Sequence, residues 1–379
     1  MAPRNIVVIG GGVGGTMVAN LLAHKLTRKQ AHITLIDRTG RHSFQPGWLY
    51  VPFGGRPPER LERAERRLLN RAVHFVVGET TLINRELRVV ELADGSSYPF
   101  DDLVVATGAC LDLDAIPGYT AGAHHFYHPD AALKLHLALR AFTGGRIVVG
   151  AIETPFKCPP APIEFTFLLD DYLRQRAIRA QTTLTYLSPF SHIFNFMNVG
   201  EFLAPLFDER GISYEIRFNA QSIDPDARII SSLEGLDVGY DLLVMVPPHR
   251  GAAVAITSGL ADVHGWIPTN RETLQCLADP DIYVIGDASD VPVAKSGAAA
   301  HFEAKVVAHR LIAKALDHYD DSRYDGQVMF FIETGNGQAS QIVYDYNHIP
   351  HPSPPSHYHH YEKMLLNRAY WYLVPNGII

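Results

Sequence analysis

Cysteine is scarce: Cys110, Cys158 and Cys276 are the only three in 379 residues, at wide and unequal spacing. That pattern excludes a secreted disulfide framework and a zinc site, so any cysteine chemistry is redox or nucleophilic. Lysine and arginine form no run and the net charge is -7, which excludes nucleic acid as a partner because phosphate binding needs a clustered positive surface. No apolar run reaches the ~18 residues that cross a bilayer, so any membrane contact is expected to be peripheral. A strand, NIVVIG, begins at residue 5 with no charged segment and apolar signal core before it; the expected location is cytoplasmic. What is present is an ordinary globular composition, 47% hydrophobic, long enough for two packed domains.

The first positive signal is NIVVIGGGVGGTMVANLLAHKL. An apolar strand, then Gly10, Gly12 and Gly15 in GxGxxG spacing, then an apolar helix, is the dinucleotide fingerprint in its required context. The next strand, HITLID, ends in Asp37, about twenty residues on, where a carboxylate can hold ribose hydroxyls. Two later segments extend the pattern: YPFDDLVVATGA sets a strand ahead of Ala106, Thr107 and Gly108, and PDIYVIGDASDV sets another ahead of Gly286 and Asp287. Together they resemble the flavoproteins with two dinucleotide folds, a resemblance that implies FAD, with Asp287 on its ribityl chain.

The expected fold class is α/β, with two dinucleotide-binding, Rossmann-like domains and a C-terminal interface or membrane-facing region. The FAD domain is discontinuous, residues 1–113 with a return segment at 272–320. Residues 114–271 form a second nucleotide-type domain with strands at RIVVG, TTLTYLS, ISYEIR and YDLLVMVP. In the C-terminal region, 321–379, QVMFFIETGNGQASQIVYDY reads as a strand pair, followed by a Pro- and His-rich loop and an aromatic helix.

The second domain lacks the glycines that the first one has. A domain binding NAD(P)H would follow RIVVG with closely spaced glycines, so that pyrophosphate could approach the backbone at a helix N-terminus. The sequence there is GAIETPFKCPPAPIEF, and its prolines, Pro155, Pro159, Pro160 and Pro162, remove backbone donors. Cys158 stands just before the helix with Lys157 beside it, two features that favour thiolate over thiol. A buried structural cysteine is the other reading of this position.

RHSFQPGWLYVPFG, KCPPAPIE, SPFSHIF, YDLLVMVPPHR and VPVAKSGAAAHFEAKVVA together make the chain similar to the sulfide:quinone oxidoreductase and flavocytochrome c sulfide dehydrogenase family over nearly its whole length. The resemblance implies that Cys158 relays sulfur-derived electrons into the flavin, and that Glu164 and His192 match a family acid and histidine. Such groups make sense as general acid and base beside a nucleophile. Glu164 could equally favour the positive end of its helix, and His192 could be an ordinary loop histidine. Two family cysteines are absent. Tyr127 in HHFYHPDAA stands at the first position, and Phe330 replaces the thiol of the YxGxxxCFxE motif in YDGQVMFFIETG. Cys158 thus has no disulfide partner of the family kind, and FAD is expected to be noncovalent, since the first cysteine is where some relatives attach it. Cys110 and Cys276 read as structural.

The resemblance further implies a quinone acceptor at Phe330 and Phe331, and a C-terminal helix facing the membrane, where Tyr370, Trp371 and Tyr372 have rings suited to a bilayer interface. A helix folded back on the domain, or a homo-oligomer contact, is the alternative. Lys295, ahead of a helix, would set positive charge near the flavin pyrimidine edge. His351, His357, His359 and His360 read as solvated, with no metal site. The expected activity is oxidation of sulfide or a related sulfur compound through Cys158 and FAD, with electrons passed to quinone. An NAD(P)H:quinone dehydrogenase and a non-catalytic flavin-binding sensor remain as alternatives.

Overall fold

The computed structural model describes residues 2–378. The first segment runs β1 (Arg4–Ile9), α1 (Val13–Lys25), β2 (Ala31–Asp37), β3 (His74–Val77), β4 (Asp102–Val105) and β5 (Ala109–Leu111), followed by α2 (Pro129–Ala141). The middle segment runs β6 (Gly145–Ala151), α3 (Ala161–Gln175), β7 (Thr182–Ser188), α4 (Met197–Glu209), β8 (Ser213–Ile216), β9 (Leu242–Val246) and β10 (His249–Gly251). The chain then returns through β11 (Gln275–Cys276), β12 (Asp279–Val284) and α5 (Gly297–Leu316), and ends with β13 (Val328–Gly335), β14 (Gln338–Tyr344) and α6 (His357–Leu373).

Two sheets organise the molecule. The first has the order β11-β12-β4-β1-β2-β3, parallel except for β11 against β12. Its strands are apolar almost throughout because both faces are covered, one by α1 and α5 and the other by Ile83, Val90, Leu92 and Ala255 of the intervening segments. β1 lies between β2 and β4, with Ile9 paired to Ile36 on one side and Val105 on the other. The chain leaves β1 in opposite directions from these neighbours, which opens a crevice at their carboxyl ends, the position where such sheets bind ligands. The second sheet, β8-β7-β6-β9, repeats the arrangement, with β6 between β7 and β9. β5 and β10 pair antiparallel, setting Cys110 opposite Arg250.

The C-terminal helix is folded back onto the protein, which corrects the expectation that its aromatic end faces a membrane. Tyr370 and Trp371 are buried. The Tyr370 hydroxyl bonds His42 Nε2 at 2.6 Å, His42 Nδ1 meets Glu65 at 3.0 Å, and Thr16 on α1 donates to the same Glu65 at 2.8 Å. Arg63 stacks over Trp371 at 4.6 Å. The polar tips that suited the rings to an interface instead find partners inside the fold, which burial demands of them. Tyr372, on the other side of α6, stays exposed. Among the described residues no helix is long and apolar enough to cross a membrane.

Candidate functional site

The first βα turn has the geometry that a dinucleotide needs. Gly10 has φ +104°, and a Cβ there would fall 2.3 Å from the Ala106 carbonyl oxygen, so only glycine lets β1 meet the turn after β4. A Cβ on Gly15 would lie 1.9 Å from the Gly10 oxygen, so the helix could not pack as closely. Gly12 caps α1 with no side-chain cap bond and no acidic residue in the first turn, and a Cβ on it would meet nothing. The free N–H groups of that helix end therefore look onto open space, a ready anion site. Asp37 stands beside it, accepting from Gly11 N at 2.9 Å and from Thr39 N and Gly40 N. Thr107 keeps a buried hydroxyl without a partner among the described residues. Gly286, at φ +67°, opens a short turn after β12 that carries Asp287. Burial pushes the Asp287 carboxyl up, against the pull of Lys157 and Lys295.

The second βα turn is built differently. Cys158 adopts φ +56°, a left-handed conformation uncommon for a residue with a side chain and suggestive of a constrained site. Its N–H donates to the Lys295 carbonyl at 2.7 Å and its own carbonyl accepts from Ala161 N at 2.9 Å. Pro159, Pro160 and Pro162 supply no donors and the Cys158 N–H is already taken by Lys295, so the start of α3 has little left with which to cradle a pyrophosphate. The turn is instead tied to the return segment just ahead of α5, which places Cys158 where the two sheets meet.

The thiol is not held as thiolate, contrary to what Lys157 and the following helix suggest. Burial pushes the Cys158 pKa up to about 12, and the Glu164 charge adds to the rise while Lys363 opposes it. α3 begins only at Ala161, and the Lys157 ammonium, itself weakened by burial, answers first to Asp287 and then to Cys110 and Cys158. Tyr127, in the place of a family cysteine, does lie at Cys158: its hydroxyl donates to the Cys158 carbonyl at 3.4 Å.

Glu164 is buried and enters an ion pair with Lys363 of α6 while accepting from Glu333 N at 2.9 Å. It therefore holds α3, β13 and α6 together, and its charge acts on the thiol. His192 sits half-exposed in the loop after β7 with Nδ1 3.0 Å from Ser191 Oγ; its partner is that neighbour rather than Cys158. Lys295 turns its ammonium onto the Asp287 and Ser289 carbonyls and over the Trp266 ring at 3.9 Å. Phe330 and Phe331 do not share a wall, because successive residues of a strand point to opposite faces. Phe330 packs with Phe194 and Tyr344, while Phe331 faces His359. Cys276 is buried and Cys110 is exposed, so only the former fits a packing role. His359 and His360 are not simply solvated: they pair with Glu362 at 3.3 Å and Glu333 at 2.9 Å.

His249 escaped the sequence reading. It lies buried against the Tyr127 ring, 5.4 Å between centroids. Burial, then Lys157, pushes its pKa down to about 3. With Nδ1 bonded to the Pro247 carbonyl at 2.9 Å, the proton of the neutral ring belongs on Nδ1. Nε2 is left as a lone-pair acceptor with no partner among the described residues. Its only sequence signal was its place in VPPHR. A cleft of about 410 Å³ opens beside the cysteine turn, with Phe156, Pro159, Phe196, Trp266, Lys295 and Tyr344 in its walls.

A GxGxxG turn and an IGD turn converging on one crevice, with a second dinucleotide fold beside it, define a flavoprotein with the pyridine nucleotide-disulfide oxidoreductase fold, and residues 4–154 match the family model described as pyridine nucleotide-disulphide oxidoreductase. Its cofactor is FAD. Within that class the chain is a homologue of the sulfide:quinone oxidoreductases. It is 28% identical to the mitochondrial sulfide:quinone oxidoreductase of Dictyostelium discoideum over 90% of this chain and 77% of that one. It is 26% identical to the sulfide-quinone reductase of Aquifex aeolicus over 82% of this chain and 76% of that one. The crystal structure of the sulfide:quinone oxidoreductase from Aquifex aeolicus superposes with a TM-score of 0.88 at 23% identity, covering 99% of this chain and 92% of that one.

Proposed function

We propose that this chain is a sulfide:quinone oxidoreductase in which Cys158 is the only thiol that handles sulfur. The observation that carries this reading is the second βα turn, where a cysteine strapped to the return segment replaces the glycine cradle of a nicotinamide cofactor. The alternating glycine turn and Asp37 would hold the FAD pyrophosphate and ribose, Asp287 its ribityl chain, and Lys295 the neighbouring turn. FAD, when bound, carries the electron pair from sulfur to quinone.

The chain's own groups bind, orient and move protons. Cys158 offers the sulfur to which substrate sulfur would bond, a two-electron oxidation for which bound FAD would be the acceptor, and its buried thiol must first lose a proton. His249, packed against the Tyr127 ring, keeps Nε2 unpartnered among the described residues, and with its pKa pushed down to about 3 it can accept a hydrogen bond from substrate rather than hold a proton. Tyr127 braces the turn by bonding the Cys158 carbonyl. Phe330, packed on Tyr344, which in turn packs on Phe196, supports an aromatic wall for a quinone ring. His192 enters as a site residue through the family resemblance alone.

Anaerobic addition of sulfide to the purified, FAD-loaded protein should bleach the oxidised flavin band rapidly, and NADH should bleach it far more slowly. Fast, saturable bleaching by micromolar NADH would transfer the assignment to the NAD(P)H:quinone alternative. FAD should also leave the protein on acid precipitation, because no family attachment thiol is present; flavin retained in the washed pellet would refute noncovalent binding.

Peripheral contact with a membrane is supported by the outward side of α6. Tyr358, Tyr361, Leu365 and Tyr372, all about two-thirds exposed, fall at helical spacing on one stripe, so an aromatic surface faces out although Tyr370 and Trp371 face in. Tyr361→Ser with Leu365→Ser should weaken binding to phospholipid vesicles, read by flotation, by about 100-fold or more, since each loses roughly 1.5–3 kcal/mol of apolar burial. Equal flotation of variant and parent would remove this surface from the reading.

A further inference from the structure

Behind Cys158 a file of ionisable side chains runs through the protein to its surface. Glu164 of α3 pairs with Lys363 of α6. The Lys363 ammonium also lies 3.8 Å from Glu333 Oε1 of β13. Glu333 Oε2 is 2.9 Å from His360 Nδ1, and the His360 side chain is 26% exposed. The two α6 members are three residues apart and so share a face. Tyr50, from the 3-10 helix Gln45–Phe53, donates to Glu333 Oε1 at 3.1 Å. Those elements contribute no other titratable group to the file, since His359 and Glu362 pair with each other alongside it. At the inner end Glu164 stands in the first turn of α3, its N–H on the Pro160 carbonyl just past Cys158, and its charge acts on the Cys158 thiol and the Tyr127 phenol.

Such an arrangement is expensive if it is only structural. Two acids, Glu164 and Glu333, face a single buried ammonium, Lys363, and an uncompensated buried charge is strongly unfavourable. One proton admitted along the file removes that imbalance. The reaction proposed above needs one proton from water in each turnover: hydrosulfide brings one proton and an electron pair, quinone takes that pair and two protons, so HS⁻ + Q + H⁺ gives S⁰ + QH₂.

We propose that His360, Glu333, Lys363 and Glu164 form the path by which this proton passes from water into the buried interior where the sulfur and quinone chemistry would meet. The proposal rests on the sulfide:quinone reading. His360 takes the proton at the surface and gives it to Glu333. Lys363, whose rotatable ammonium touches both carboxylates, hands one proton to Glu164 and takes one from Glu333, so its own charge is restored at each step. Tyr50 positions Glu333 and holds no proton in transit, because burial keeps its phenol protonated.

The test uses the FAD-loaded protein, a short-chain ubiquinone analogue and saturating sulfide. His360→Ala should lower steady-state quinone reduction by about tenfold or more, and imidazole in the buffer should restore the rate in proportion to its concentration. Glu333→Gln, which keeps the shape of the bond, should slow the same step without rescue. Parent-like turnover in His360→Ala, or a loss that imidazole leaves unchanged in a variant with full FAD content, would overturn the path. Independently of turnover, imidazole ¹⁵N NMR should show the His360 titration displaced in both Glu333→Gln and Lys363→Met; a titration indifferent to both would also overturn it. A parent that binds FAD but fails to reduce quinone with sulfide would sink the proposed function instead, and the NMR measurement would still decide the connection of His360 to the buried groups.

Discussion

Cys158→Ser should abolish sulfide-dependent bleaching of the flavin while leaving FAD content unchanged. The groups that would hold FAD, Gly10, Gly12, Gly15, Asp37, Thr107 and Asp287, lie on β1, α1, β2 and the turns after β4 and β12, so none depends on the sulfur of the second βα turn. Serine has the same Cβ and the turn is held by backbone bonds of Cys158, so the conformation should persist. What is lost is a polarizable thiolate able to bond sulfur reversibly. Loss of the sole nucleophile should cost at least about 1000-fold in the rate of flavin reduction, in line with removal of nucleophiles elsewhere. Because burial holds the thiol protonated, the parent rate should climb as pH rises toward the displaced thiol pKa of about 12. Cys276→Ser, in the separate core around β4 and β12, should leave the rate unchanged. Stopped-flow absorbance of the flavin band decides the matter, and a Cys158→Ser protein reduced at the parent rate would return this residue to a structural role. If Cys110→Ser also fails, the chain has moved its second thiol to β5, beside the Lys157 ammonium.

Lys363→Met should produce the largest loss of stability. The ammonium is buried between Glu164 and Glu333, and its neighbours hold its pKa well above the ordinary lysine value despite the cost of burial. Methionine fills similar volume but leaves two carboxylates without their cation. Breaking a buried pair from one side costs about 3–5 kcal/mol, while burial already pushes the Glu164 carboxyl toward its neutral form. Adding Glu164→Gln to Lys363→Met should recover a large part of the loss, since replacing both members of a buried pair is far less costly than removing one. Urea midpoints of the FAD-loaded proteins measure both quantities. A single variant as stable as the parent would mean that water reaches these carboxylates and supplies what the lysine does.

Local rules made much of this protein legible from its sequence. Gly10, Gly12 and Gly15 could be read because their requirement is steric and short-range: a strand must turn into a helix without a Cβ in the way. The strand YDLLVMVP was readable because burial on both faces of a parallel sheet writes itself as a continuous apolar run, and TTLTYLS because threonine, tyrosine and leucine suit a strand. The loss of the second pyrophosphate cradle followed from four prolines, which lack the donors whatever surrounds them. Other properties depend on what packs against a residue from far along the chain. The Cys158 thiol is pushed toward its protonated form by burial and by the Glu164 charge from α3, so a neighbouring lysine misled. Phe330 and Phe331 were separated by the phase of one strand. Tyr370 and Trp371 carry interface chemistry in their side chains, yet His42, Glu65 and Arg63 from the first domain gave those rings an interior. His249 and the file from His360 to Glu164 unite residues from distant segments, and no spacing in the sequence announces them. Sequence alone thus determined which backbone turns could form and which ligand contacts they could make; the tertiary structure decided which side chains are charged, paired or exposed, because those properties depend on dielectric surroundings and partners that only the folded chain supplies.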